Sequence, residues 1–201
     1  MAASVALTTF MDFVVASGTR RITCVRKAKK QYGQKYDPRT DFYKPLREGI
    51  VEMHKAGADI SHLANILAKV TDPKKLTSYP KCISGYGECL ANKSTVYVPF
   101  KPRIWHSSGL DVRVSPEVML EIDRARFAIK LYFKAEAIPQ NAIAPMLRMI
   151  ELSVSKSADA RPAVIDLQRA KMHTRDKLDP NLDALLLAEA ASFAVLWDAL
   201  E

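Results

Sequence analysis

The chain is short of the residues that build stapled folds and cofactor loops: its 201 residues include three cysteines and seven glycines. Cys24, Cys82 and Cys89 are too few and too scattered for a disulfide framework. No Cys-x-x-Cys pair occurs, which excludes a zinc ribbon and a thioredoxin-like motif, and a reducing, cytoplasmic setting is the expectation. Neither a phosphate-binding P-loop nor a dinucleotide glycine fingerprint is present, so a nucleotide cofactor has no local signature. No Gly-x-Ser-x-Gly occurs, and no Ser or Cys stands with a readable base partner, so nucleophilic catalysis has no support. His54, His62, His106 and His173 share no ligand spacing for zinc. Long uncharged runs are missing too. The apolar opening ASVALTTFMDFVVA lacks a preceding basic region, contains Asp12 and falls short of the ~20 residues a span needs. It reads as the first turns of a helix in a protein that neither carries an export signal nor crosses a membrane.

What is present is a lopsided charge. Residues 19 to 103 carry 18 Lys+Arg against 7 Asp+Glu, a net of +11, whereas residues 104 to 201 carry 12 against 14, a net of −2. A basic front on a near-neutral back makes a polyanion the first partner to consider. With 48% hydrophobic and 26% charged residues the chain has the balance of a core-forming globular protein.

Periodicity divides the chain near Ser94. Before it, helices are expected: one capped by Thr8 or Thr9 running to Gly33 and weakened by Gly18, and one from about Thr40 to Lys55 ahead of Gly57. Asp59 should cap a third helix, with Ile60, Leu63, Leu67 and Val70 inward. Asp72-Pro73 and Tyr79-Pro80 should each start a short helix. Cys82 and Cys89, seven apart, then share a face as buried small hydrophobes. After Ser94 the stretch STVYVPFKPRIW alternates, with Pro99 and Pro102 consigning it to an edge or bulged strand. LDVRVSPEVMLEID continues as strand bent at Pro116, and ARFAIKLYFK alternates most cleanly. A helix after Pro139, a strand or tight strand pair turning at Gln168 to Ala170, and a final amphipathic helix from Asn181 complete the series. The fold class is α+β: a basic helical region over residues 1–93, then a mixed β-sheet with flanking helices over 94–201, as two regions or one continuous domain.

The hairpin over residues 112–134 is where chemistry would sit. With its turn at Asp123 to Arg126, Ile122 pairs with Phe127 and Met119 with Lys130. Glu121 and Lys130 then become diagonal neighbours on one face, with Glu117 and Lys134 farther out. Such a face is a solvated surface laced with ion pairs, a nucleic-acid contact surface, or a site where carboxylates hold Mg²⁺ and a lysine orients the attacking water.

An acid on one hairpin strand and a lysine on the next, followed by helix, strand and helix, resembles the core of the PD-(D/E)XK nuclease superfamily over roughly residues 80–200. The resemblance implies a first acid at Asp111, Glu117 or Glu121 and the family lysine at Lys130. The catalytic residues would be Glu117, Glu121 and Lys130, with Mg²⁺ held by Asp111, Glu121 and Asp166. Ala128 stands two before Lys130, where the family signature has Asp or Glu; two before Lys134 stands Tyr132.

The stretch from Arg20 to Arg47 holds ten Lys+Arg interleaved with Tyr32, Tyr36, Phe42 and Tyr43. Cations there can neutralise phosphates and aromatics can stack on bases, or the rings can seat the helices while the lysines are merely solvated. A helix-turn-helix across Glu48 to Val70 offers only His62, Asn65 and Lys69 as readers. The leading expectation is therefore nucleic-acid binding through phosphates. Its contacts would be Arg20, Arg21, Arg26, Lys27, Lys29, Lys30 and Lys35, with Lys130 and Lys134 as a second site. The alternatives are the metal-dependent nuclease and a module whose basic face meets an acidic protein. The apolar last helix, with Leu185, Leu186, Leu187, Phe193, Leu196 and Trp197, is a candidate surface for a second copy.

Overall fold

A computed structural model describes residues 3–34, 41–155 and 158–200. The fold is α+β, with two mixed sheets and helices on both sides of the larger one. Its strands and helices follow the chain as β1 (Ala3–Ala6), α1 (Leu7–Val14), α2 (Thr19–Tyr32), α3 (Lys44–Lys55), a 3₁₀ turn (Ile60–Leu63), α4 (Ala64–Leu67) and α5 (Pro73–Leu90). There follow β2 (Thr95–Tyr97), β3 (Arg103–Ser107), β4 (Leu110–Val114), β5 (Val118–Ile122), β6 (Ala125–Tyr132), α6 (Gln140–Ile150), β7 (Arg161–Asp166), β8 (Lys171–Thr174) and α7 (Leu182–Ala199).

The five-stranded sheet has the order β2-β5-β6-β7-β8, with β6 and β7 parallel across the α6 crossover and the other pairs antiparallel. Alternation along β5, β6 and β7 sends successive residues into two different cores. Val118, Leu120, Ile129, Leu131, Ala163 and Ile165 pack with Leu46 and Ile50 of α3 and with Tyr79, Cys82 and Tyr86 of α5. Met119, Ala128, Tyr132 and Val164 pack with α1, α6 and α7. Both faces are covered, as a sheet with a parallel pair requires.

Several sequence expectations are corrected here. The opening residues are strand, not helix: β1 lies parallel to β4, Ala3 opposite Leu110 and Val5 opposite Val112. The first helix is two helices: α1 ends at Val14, and Gly18, at φ +53°, a conformation that only glycine takes cheaply, stands at the N-cap of α2. Asp59 accepts from Ser61 N at 2.8 Å, but the capped segment is a 3₁₀ turn, and Ile60 stays exposed while Leu63 is buried. Asp72 caps α5 with Pro73 in its first turn, as expected; Tyr79-Pro80 starts no helix and lies inside α5. Tyr79 is fully buried there, and its hydroxyl donates to the Phe42 carbonyl at 2.5 Å, so tertiary packing holds the helix through its proline. The expected helix start at Thr40 lies outside the described residues.

Strands expected in one sheet are divided between two. β3 and β4 pair with β1 in a three-stranded sheet, and the chain crosses at Ser115-Pro116 to enter β5 of the larger one. The β5–β6 turn is tighter than expected: Ile122 faces Ala125, Glu121 faces Arg126 and Met119 faces Ala128. Asp123 and Arg124 supply the two positive φ values (+50° and +70°) of a two-residue hairpin loop. Without Gly or Asn, the turn is held from outside, by Asp123 N donating to the Ser94 carbonyl and Ser94 N donating to Asp123 Oδ1, both at 3.1 Å. The two-residue shift of register preserves the faces, so Lys130 keeps company with the acids but now lies beside Glu117. α5 also approaches the β7–β8 turn so closely that a Cβ on Gly85 would stand 1.9 Å from the Leu167 carbonyl oxygen.

Candidate functional site

α2 is built from a basic segment with no acidic residue, TRRITCVRKAKKQY, ending on Lys29 and Lys30 where cations suit the negative end of the helix dipole. Only Val25 and Ala28 of it are buried, packed in the core shared by α1 and α7. At about 100° per residue, Arg20, Lys27 and Lys30 fall within an arc of about 80° opposite that buried stripe, with Arg26 about 40° beyond. These four are exposed and take part in no ion pair or side-chain hydrogen bond among the described residues.

The other two expected cations of α2 are engaged inside the fold. Arg21 Nη2 reaches Glu189 Oε1 of α7 at 2.6 Å, its Nε donates to the Ala16 carbonyl at 3.0 Å, and its guanidinium sits 5.1 Å from the centre of the Phe13 ring. Lys29 donates to the Leu200 carbonyl and lies 5.8 Å from the Trp197 ring centre. Lys35 lies outside the described residues.

The aromatics interleaved with these cations are spoken for. Tyr32 OH accepts from Ala6 N at 2.8 Å, tying α2 to β1. Tyr43 stacks on Phe133 with ring centres 4.9 Å apart, and Phe42 meets Tyr43 edge-on at 4.7 Å. Tyr36 lies outside the described residues. None of the exposed large hydrophobic side chains among the described residues is aromatic.

The hairpin acids and lysines do not form one cluster. Lys130 is ion-paired with Glu117, their side chains 14% and 7% exposed, and Glu117 Oε2 also accepts from Leu131 N at 2.7 Å. The sequence-based options for this face included a solvated surface; at this pair the two side chains are instead largely buried against each other. Glu121 sits at the turn end of the hairpin, 3.7 Å from Arg126 Nε. Asp111 belongs to the other sheet and pairs with His106 Nδ1 at 2.7 Å. Asp166, 2% exposed, lies beside Tyr132 at the far end of β6 and pairs with Arg169 at 3.2 Å. Glu121 and Asp166 are thus opposite β6 residues six apart, about 20 Å along the strand. Asp111, Glu121 and Asp166, expected as a Mg²⁺ set, are not brought together, and no group of three or more His, Cys, Asp or Glu among the described residues is placed to hold a metal ion. Lys134 is exposed but gripped by Asp12 at 2.9 and 3.0 Å.

None of the three cysteine thiols is activated. Burial pushes the Cys82 thiol up to about 11, and Cys89 and Cys24 are also raised, chiefly by burial. His54, buried against Tyr86 with Nε2 2.6 Å from the phenol oxygen, is held below its ordinary value by desolvation. Sequence reasoning missed one strong cluster, Arg148 bidentate to Asp183 at 2.6 and 2.8 Å and also paired with Glu151. Its carboxylates raise the guanidinium's pKa, and it clamps α6 to α7; Arg148 and Asp183 are 35 positions apart, so only Glu151 was visible as a local partner.

No family resemblance settles the matter. The chain matches no protein-family model, no curated protein and no solved structure. No helix of the described residues is long and apolar enough to cross a membrane.

Proposed function

We propose that the protein binds the phosphate backbone of a nucleic acid through the outward face of α2. The observation that carries this reading is the set Arg20, Arg26, Lys27 and Lys30: four exposed cations on one helical face, unpaired among the described residues, in a helix without an acidic residue. Solvated cations of this kind release the counterions condensed on a polyanion, and that release drives the association. Lys130 drops out of the contact set because Glu117 neutralises it inside the fold, and Lys134 is offset by Asp12. The metal-dependent nuclease loses support with the separation of its carboxylates.

The test is the salt dependence of binding to labelled DNA and RNA. Four phosphate contacts give a slope of log K against log salt of about −3.6 on duplex DNA, so affinity falls about 150-fold between 50 and 200 mM salt. Replacing Arg20 and Lys27 together by Gln should bring the slope near −1.8. Flat binding across that range, or a slope unmoved by the substitutions, removes the proposal; tight, salt-sensitive binding to an acidic protein alone would select a protein partner instead.

A further inference from the structure

Thr23 stands in the middle of α2's cationic face. At about 100° per residue it falls halfway along the arc from Arg26 to Arg20. Arg20 lies three residues before it, Arg26 three after and Lys27 four after, spacings that make all three its neighbours on the helix surface. Thr23 is exposed, and its hydroxyl takes part in no hydrogen bond among the described residues. The residues ahead of it form a pattern of their own. Arg20 and Arg21 occupy the positions three and two before the hydroxyl, and no other serine or threonine of the chain has arginine at both. Thr19, another hydroxyl of the same face, has Ala16 and Ser17 there. Paired arginines ahead of an acceptor are what the acidic substrate groove of an arginine-directed protein kinase reads, through charge-assisted contacts with its carboxylates.

We infer that Thr23 is a phosphorylation site whose modification releases α2 from nucleic acid, which rests on the phosphate-binding reading of α2 and adds its control. In the reaction, Thr23 Oγ1 forms a bond to the γ-phosphorus of a nucleoside triphosphate. The bond from that phosphorus to the β–γ bridging oxygen breaks, the diphosphate leaves, and the hydroxyl proton passes to the kinase's carboxylate base. The acceptor enters a kinase in an extended stretch, so the start of α2 has to open. Gly18 gives that start no side-chain cap, and the buried residues of the helix, Val25 and Ala28, both come after Thr23. Opening releases Arg21 from Glu189, Ala16 and Phe13, and that frees its guanidinium for the kinase. When the helix re-forms, the phosphate brings about −1.5 to −2 charges among Arg20, Arg26 and Lys27. Pairing with these neighbours holds the modified helix together and neutralises about two of the four free cations.

The full chain, incubated with ATP and a purified arginine-directed serine/threonine kinase, should take one phosphoryl group, located at Thr23 by peptide mass spectrometry. Thr23→Val should take none there, and Arg20→Ala should be modified at least about tenfold more slowly. Modified and unmodified proteins are then titrated with labelled duplex DNA across about 50–200 mM salt. Neutralising two of four contacts should move the slope of log K against log salt from about −3.6 to about −1.8, and weaken binding about 10- to 100-fold near 0.1 M salt. Thr23→Glu should move the slope about half as far and Thr23→Gln should leave it in place, which separates charge from shape. Salt-dependent binding without phosphoryl transfer to Thr23, or a modified chain that keeps the parent slope, overturns this inference and leaves the nucleic-acid reading standing. An unmodified chain with no salt-dependent binding removes both. The kinase and slope arms use the folded wild-type chain, so neither depends on a variant that folds.

Discussion

Glu117 answers both Lys130 and the backbone beyond it: one carboxylate oxygen pairs with the lysine ammonium while the other accepts from Leu131 N at 2.7 Å. The carboxylate therefore fastens the start of β5 to β6 at the point where the chain leaves one sheet for the other. Removing either charge leaves the other stranded near the core. Glu117→Gln and Lys130→Met should each cost about 3 kcal/mol or more in urea unfolding, while the double replacement by Leu and Met should cost less than the two singles combined. Strict additivity in that cycle would show that the charges do not act as a pair.

The six described cations of α2 separate into two groups by partner. Arg21→Ala leaves Glu189, whose Oε2 already lacks a hydrogen-bond partner, buried with neither oxygen satisfied, and should cost about 1–3 kcal/mol. Arg20→Ala and Lys27→Ala should stay within about 0.5 kcal/mol of the parent because nothing folds against them. The measurement is chemical denaturation of each variant. Equal losses at Arg21 and Lys27 would contradict the assigned faces of α2.

Stability should fall on mild acidification. His54 is neutral in the core and held below its ordinary 6.5 by burial, and His173 is lowered the same way. The unfolded chain takes up those protons first as pH drops through 6.5, so the native state is fully favoured above that value and loses stability below it until the lowered native values are passed. Urea midpoints compared near pH 7.5 and 5.5 should show the loss, and His54→Gln should shallow the slope whatever it does to stability at the upper pH. A slope unchanged by that substitution would place the proton uptake elsewhere.

Local signals carried the sequence reading a long way. Asp72-Pro73 opened a helix as its chemistry requires, Cys82 and Cys89 went to the core together, and the alternation of β6 gave its two faces correctly. What failed depended on partners distant in the chain. Tyr79-Pro80 reads as a helix start until Phe42 takes the Tyr79 hydroxyl, and Asp123-Arg124 reads as a poor turn until Ser94 braces it. The charged hairpin face looked solvated because nothing in the sequence around Lys130 announces that its ammonium will be buried with the Glu117 carboxylate. The basic face of α2 was legible as charge, but its division between buried anchors and free cations depended on α7, more than 150 residues away.

The pairing of β1 with β4 has a consequence in time. Ala3 waits for Leu110, 107 residues later, before its strand has a neighbour. At translation rates of roughly 5–20 residues per second, that wait is about 5–20 s. During it, Ala3–Ala6 has no strand to pair with. The three-stranded sheet can therefore close only after Leu110 has been made, and β1 stays unpaired until then.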